Sequence, residues 1–180
     1  MSLLDELGYR PASANAVQRG MQMVASSRPG AWLFQRMLYP VDKLLFRISG
    51  GRVTVPAVVA GLPIVMFTTT GAKSGQERTM PLLAVPIDDN LAIIGSNYGQ
   101  ETTPSWVYNL EANPAATIAY GDRSIAVTAR STNDDENDRV WAQATAVYPG
   151  YAKYRDRASH RVIRTFILES ASGPAPEDSG

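Results

Sequence analysis

The stretch 68–81, Thr-Thr-Thr-Gly-Ala-Lys-Ser-Gly-Gln-Glu-Arg-Thr-Met-Pro, constrains this chain more than any other. It lies between two apolar runs, 64–67 and 82–87, and so reads as strand, turn, strand. Gly71 and Gly75 permit positive φ and close backbone approach, while Lys73 and Arg78 bring two positive charges to the same turn. Such a turn can hold a phosphate or a carboxylate; the plainer alternative is a hairpin with solvated charges. A nucleotide P-loop is excluded, because that motif needs G-x-x-x-x-G-K-[ST] opening into a helix. Here Ala72 separates Gly71 from Lys73, Met66 stands where the first glycine belongs, and a β-rich segment broken by Pro81 follows.

The chain around this turn reads as a meander. Strands are expected at about 53–59, 63–70, 79–87 and 91–96, where Val, Ile, Leu and Thr concentrate between Gly, Pro and Asp-Asp-Asn turns. Thr103 as cap and Pro104 as first residue open a helix that Asn113-Pro114 stops. A hairpin, 115–120 and 124–130, turns at Gly121-Asp122; Asn133 caps a further helix with Asp134, Asp135 and Glu136 in its first turn; a strand over 162–168 closes the pattern. About six or seven strands with helices at the ends predict a mainly β chain, an antiparallel barrel with flanking helices.

Before the strands, residues 1–12 show no clear periodicity and are expected to be mobile, with Pro11 closing them off. Ser13 caps a short helix to about residue 27, and a second begins near Pro29. Its apolar residues Phe34, Met37, Val41, Leu44 and Ile48 fall on one face, with a kink expected at Pro40 and an end at Gly50-Gly51. Arg36, Lys43 and Arg47 stand opposite, near Trp32, Leu33 and Tyr39. That make-up suits peripheral contact with a membrane, or plain packing on the core with solvated charges outside. The tail 170–180 is too polar to fold. The organisation expected is therefore an amino-terminal helical extension over 1–52, a barrel domain over 53–169 and a disordered tail over 170–180.

Composition narrows the function. At 180 residues the chain has one core's worth of sequence, and its formal net charge is zero. Nucleic acid is thus not the expected partner, since affinity for phosphate backbones comes from clustered positive charge. With no cysteine there is neither a disulfide framework nor a thiolate metal site, and His160, the one histidine, sits among Arg157, Arg161 and Arg164 as a surface residue. No metal site is expected. The longest apolar stretch, 57–67, is broken by Gly61 and Pro63, and no basic-then-apolar leader opens the chain, so a cytoplasmic location is expected.

Four segments in order carry a resemblance: Thr-Thr-Gly-x-Lys-Ser-Gly-Gln-x-Arg-x-x-Pro-Leu from Thr69; Gly95-Ser96-Asn97; Pro104-Ser-Trp-Val-Tyr-Asn-Leu-Glu-Ala-Asn-Pro114; and Tyr148-Pro149-Gly150-Tyr151. Over about 53–168 the chain resembles the deazaflavin-dependent nitroreductase family, the class A flavin/deazaflavin oxidoreductases. The resemblance implies a split β-barrel that binds coenzyme F420, a deazaflavin with a phosphate and a glutamate tail. It implies hydride transfer to an enone, a quinone or a nitroaromatic, the activity of an ene reductase or nitroreductase.

By the same resemblance Lys73, Ser74, Gly75 and Arg78 would hold the acidic tail. Met80, Pro81, Ile94, Gly95, Ser96, Asn97, Ser105, Trp106 and Asn109 would form the ring slot, largely through backbone. Tyr148 and Tyr154, with Ser96, would be the catalytic candidates, and Tyr151 would help hold the cofactor. Relatives often carry basic residues where Ala72 and Asn97 stand, so this cradle has fewer cations, although Asn97 can donate from its amide. A phenol of pKa ~10 stays protonated at neutral pH and can hydrogen-bond a carbonyl that gains negative charge. An aromatic helix face in the core is the structural alternative for the tyrosines. Two functional alternatives stay open: FMN in the slot of the same barrel, or a carrier of a cofactor or apolar ligand without turnover.

Overall fold

The structure, a computed structural model, describes residues 2–10 and 62–171. After a short helix α1 (Leu3–Leu7) come β1 (Ile64–Thr70), β2 (Glu77–Ile87), β3 (Asn90–Ile94), a 3-10 turn at Asn97–Gly99, helix α2 (Ser105–Ala112), β4 (Ala115–Tyr120), β5 (Arg123–Ser131), helices α3 (Asp134–Val147) and α4 (Gly150–Arg157), and β6 (Thr165–Ser170). The strands close into one antiparallel barrel in the order β1-β2-β3-β6-β5-β4. The mainly β barrel with flanking helices is the expected fold. The strand expected at 53–59 and the two helices expected before it lie outside the described residues.

Alternation along each strand sorts the side chains into two cores. Val65, Phe67, Leu91, Ile93, Phe166 and Leu168 fill the barrel interior with Trp106, Val107 and Leu110 of α2. Their neighbours Ala92, Ile94 and Ile167 point outward and join Val85 and Ile87 beneath Val140, Trp141 and Ala144 of α3 and Tyr151 and Tyr154 of α4. β3 and β6 are thus covered on both faces, which is why they read as unbroken apolar runs.

Boundaries shift by one to three residues. β2 starts at Glu77 rather than 79 and runs through Pro81, which lies beyond the part of β2 that β3 covers, so its missing donor is tolerated. Pro104 is the cap of α2 rather than its first residue. The last strand begins at Thr165, leaving Val162 80% exposed, and it extends to Ser170, which pairs with Val127; the tail therefore does not begin at 170.

Residues 2–10 correct the expectation of a mobile start. The Ser2 hydroxyl accepts from the Asp5 amide at 3.2 Å, and Gly8 at φ 62 ends the helix. Leu3 and Leu7 are buried in the barrel core, and Tyr9 donates to the Ala84 carbonyl at 2.7 Å. The Arg123 guanidinium donates to the Asp5 and Glu6 carbonyls, at 3.1 and 2.9 Å, covering free acceptors at the helix end. Because the ladders are antiparallel, α1 and the 88–89 and 121–122 turns lie at one rim. The 71–76 turn, the segment after Ile94, and the ends of β5 and β6 that meet at 131 and 165 gather at the other.

Candidate active site

The 71–76 turn is built by its own backbone. The Gly71 amide donates to the Gln76 carbonyl and the Gly75 amide to the Gly71 carbonyl, both at 2.8 Å. Gly75 sits at φ 65 with nothing within 4 Å of where a Cβ would stand, so the backbone there is open to an approaching group. Lys73 and Arg78 are exposed, and among the described residues neither makes a hydrogen bond or an ion pair. Ser74 accepts from the Gln76 amide at 3.3 Å, which leaves its hydroxyl proton free to donate.

Asn109 ties this turn to α2. It is 8% exposed, donates from Nδ2 to Thr69 Oγ1 at 3.0 Å and accepts from the Ala72 amide at 3.0 Å. Its amide therefore positions the turn, and what it can offer a ligand is a single remaining N–H. Trp106 is buried against Phe67 and Phe166, ring centres 5.9 and 6.0 Å away, so its indole belongs to the barrel core. Ser105 and Trp106 can then serve a slot only through the free amides of the first helical turn.

Strand alternation also divides Met80 from Pro81. Met80 pairs with Phe67 and packs against the interior core, whereas Pro81 pairs with Met66 on the outer face, so the two side chains cannot wall the same slot. The β2–β3 ladder stops at Ala84↔Ile93 and β3 ends at Ile94, after which the Ser96 amide turns back to donate to the Ile94 carbonyl at 2.8 Å. A Cβ on Gly95 would stand 2.8 Å from Val107 Cγ2, so this position accepts only glycine without rearrangement.

The segment after Ile94 is unusual in conformation. Asn97, Tyr98 and Gly99 have φ of 47, 56 and 75, three left-handed residues in succession. Strain of this kind costs about 1–3 kcal/mol per non-glycine residue and persists only where its surroundings enforce it. Asn97 contributes from within: Nδ2 donates to the Thr102 carbonyl at 2.9 Å and lies near Thr102 Oγ1 and Gln100 Oε1. The amide expected to reach a ligand is thus spent inside the protein. Arg161, which the sequence offered only as a neighbour of His160, enforces the rest, donating to the carbonyls of Gly95, Ser96 and Gln100 at 2.8 to 3.2 Å. His160 itself is exposed.

Against this segment lies the tyrosine row of α4 and its approach. Tyr148, Tyr151 and Tyr154 are 5–6% exposed, with ring centres 5.9 to 6.0 Å apart, and Tyr98, more than half exposed, meets Tyr154 edge-on at 6.1 Å. The Tyr148 and Tyr154 hydroxyls share a hydrogen bond of 3.2 Å. Burial pushes both phenols up; at Tyr148 the bond to Tyr154 and the charge of Arg157 work against that rise. Tyr151 is also raised by burial, and its hydroxyl has no hydrogen-bond partner among the described residues. The buried Ser96 hydroxyl has none either.

These phenols, with that of Tyr9, link stability to alkaline pH. Their folded pKa values lie above the unfolded value of ~10, so the stability they contribute is full below about pH 10 and is lost as pH rises beyond it. The denaturation midpoint is expected to stay level from about pH 7 to 9 and to fall above about pH 10, in step with phenolate absorbance.

The family model for F420H(2)-dependent quinone reductase matches residues 43–170, and the chain belongs to that family. An F420H(2)-dependent quinone reductase of Mycobacterium tuberculosis is 31% identical over 127 residues, 69% of this chain and 84% of the relative. A solved F420-H2 dependent reductase (FDR-A) is 41% identical, with TM-score 0.55, over 59% of this chain and 94% of that one. A second solved structure, described as a domain-swapped dimer, is 33% identical, with TM-score 0.57, over 78% of this chain and 99% of the other. The donor set fits a flat ring with an anionic tail: two uncommitted cations and open backbone at the turn, and two buried hydroxyls without partners, at Ser96 and Tyr151.

Proposed function

We propose that this protein reduces a quinone-like acceptor with reduced coenzyme F420, and that the rim site described above is where it does so. Family membership makes it an F420-dependent reductase; the pair of buried, unpartnered hydroxyls at Ser96 and Tyr151 is the observation that carries the assignment of the site. Buried polar groups in folded proteins are ordinarily satisfied, so two orphans beside one strained segment point to a ligand that supplies their partners. When bound, the cofactor supplies a hydride, the two-electron chemistry that no side chain here can perform.

The chain's own residues do the rest. Lys73 and Arg78 bind the anionic tail, Arg78 with the fork geometry that suits phosphate. The Ser74 hydroxyl of the turn and the amides of Ser105 and Trp106 at the start of α2 add donors at fixed positions. The end of β3 at Ile94 and the Ser96 hydroxyl that follows it stand where a ring could lie against the tyrosine row. Reducing a quinone to a hydroquinone adds two electrons and two protons, so negative charge grows on an oxygen as hydride arrives. Tyr148 and Tyr154, held protonated by burial, offer an O–H to that oxygen, the upward push on Tyr148 being opposed by its bond to Tyr154 and by the charge of Arg157. Enones and nitroaromatics, which place charge on oxygen in the same way, fall within the acceptor class.

The shared hydrogen bond shapes what Tyr→Phe variants report. Tyr148→Phe leaves the Tyr154 hydroxyl buried and unpaired, at a cost of about 1–3 kcal/mol, and should lower hydride transfer by up to ~10²-fold. Tyr151→Phe removes no existing bond, so it should leave the stability of the cofactor-free protein unchanged while weakening cofactor binding. Denaturation midpoints and single-turnover rates check both; unchanged turnover in these two and in Tyr154→Phe would leave solvent as the proton source.

Peripheral docking of the amino-terminal helices expected between residues 13 and 50 on an anionic membrane, beside a cytoplasmic pool of cofactor, also belongs to this reading, since quinones are apolar. No described helix is long and apolar enough to cross a membrane. Arg36, Lys43 and Arg47 should each contribute about 1 kcal/mol near such a surface. Co-sedimentation with anionic but not neutral vesicles at low salt is expected, and its absence would leave these helices as packing.

A further inference from the structure

We propose that Arg161 is a positioning residue for the reaction: its guanidinium holds three carbonyls of the 95–100 segment so that the left-handed turn keeps Ser96 at the rim and Tyr98 against Tyr154. The inference rests on the site assignment just given, but its geometry stands independently of any cofactor. One planar group donates to the Gly95 carbonyl from both terminal nitrogens at 3.2 Å, to the Ser96 carbonyl at 2.8 Å and to the Gln100 carbonyl from Nε at 3.2 Å. These acceptors flank Asn97, Tyr98 and Gly99, all at positive φ, on both sides. A left-handed run that includes an asparagine and a tyrosine is costly; the Asn97 amide ties it to Thr102, its backbone bonds, Gly99 N–H to the Ser96 carbonyl and Gln100 N–H to the Asn97 carbonyl at 2.9 and 3.0 Å, span one turn, and Arg161 joins its two flanks.

Consequences for the site follow from what the segment carries. Ser96 supplies one of the two orphaned hydroxyls, and the Tyr98 ring is the exposed end of the tyrosine row. A flat acceptor entering beside the Tyr148–Tyr154 pair would meet Tyr98 first, an aromatic face on which it can stack. Lysine cannot reproduce the clamp, because an ammonium lacks the fork that reaches three carbonyls in one plane. A released segment would move these groups by the order of an ångström, and a displacement of that size can cost ~10²-fold in rate.

The test uses the full chain with Arg161→Ala and Arg161→Lys. Amide hydrogen exchange of the cofactor-free protein is expected to speed up by about tenfold or more at Gly99 and Gln100 in Arg161→Ala, less in Arg161→Lys, with the β4–β5 ladder unchanged. Deazaflavin affinity, read by its fluorescence, should fall by about tenfold or more in Arg161→Ala, and Arg161→Lys should bind between the two with a raised KM for the quinone. If Arg161→Ala does not fold, Arg161→Lys alone carries both arms. Unchanged local exchange, or exchange that rises equally throughout the chain, would overturn the proposal by making Arg161 an ordinary contact or a general stabiliser. If wild type itself fails to bind deazaflavin, the site assignment falls, and the exchange arm still decides whether the clamp exists.

Discussion

Gly150→Ala is expected to destabilise the protein by about 1–3 kcal/mol, the usual range for overpacking, and to lower turnover along with stability. A Cβ at this position would stand 2.3 Å from two ring atoms of Tyr148 and 2.6 Å from its hydroxyl oxygen. A terminal side chain can often swing away cheaply, but this ring is 6% exposed and packs against both Tyr151 and Tyr154, ring centres about 6 Å distant. The clash is therefore relieved by displacing Tyr148, which breaks the hydroxyl pair with Tyr154. For a chain of this length that stability loss corresponds to roughly 2–12 °C in Tm. Gly121→Ala is the control: nothing lies within 4 Å of its Cβ, so its smaller cost comes from φ 62 alone and leaves the tyrosines in place. If Gly150→Ala matches wild type in Tm and rate, the tyrosine row is looser than the structure has it.

The second large effect is expected at the turn and leaves the fold untouched. Lys73→Ala and Arg78→Ala should each weaken deazaflavin affinity by about 1.5–3 kcal/mol, the range for hydrogen bonds to charged groups, roughly tenfold to a hundredfold. Both side chains are exposed and uncommitted among the described residues, so neither change should move the denaturation midpoint. The double variant need not be additive, since both cations would face one anionic tail. The loss should shrink as salt rises, because exposed charges are screened. Two variants that bind as wild type does would make the turn a plain hairpin.

Much of this was legible in the sequence because it rests on local patterns. The apolar run 64–67 before its turn, the hairpin turn at Gly121 and the Asn133 cap with acids in the first helical turn were readable as written. Helix α1 was not, since five residues are too few for a periodic signal; the Ser2 cap with Asp5 and the stop at Gly8 were the only marks it left. At the site, residue types were readable but their duties were not. Asn97 and Asn109 are polar and stand in the motifs, yet the structure spends their amides on Thr102, Thr69 and the Ala72 backbone. Met80 and Pro81 are adjacent in sequence and opposite in space, which only the register decides. Arg161 lies over sixty residues from the carbonyls it holds, a distance at which no local pattern operates.

The central claim is that the rim site carries hydride from reduced deazaflavin to a quinone. Purified protein mixed with reduced coenzyme F420 and a soluble naphthoquinone, followed by the absorbance of the oxidised deazaflavin, tests it directly, with parallel samples containing reduced FMN. The account predicts saturable oxidation of the deazaflavin that requires both protein and quinone, is lost in the Lys73→Ala/Arg78→Ala variant, and does not occur with FMN. Deazaflavin bound without turnover would make the protein a carrier, turnover with FMN alone would make it a flavin enzyme, and full activity in the double variant would place the reaction elsewhere on the chain.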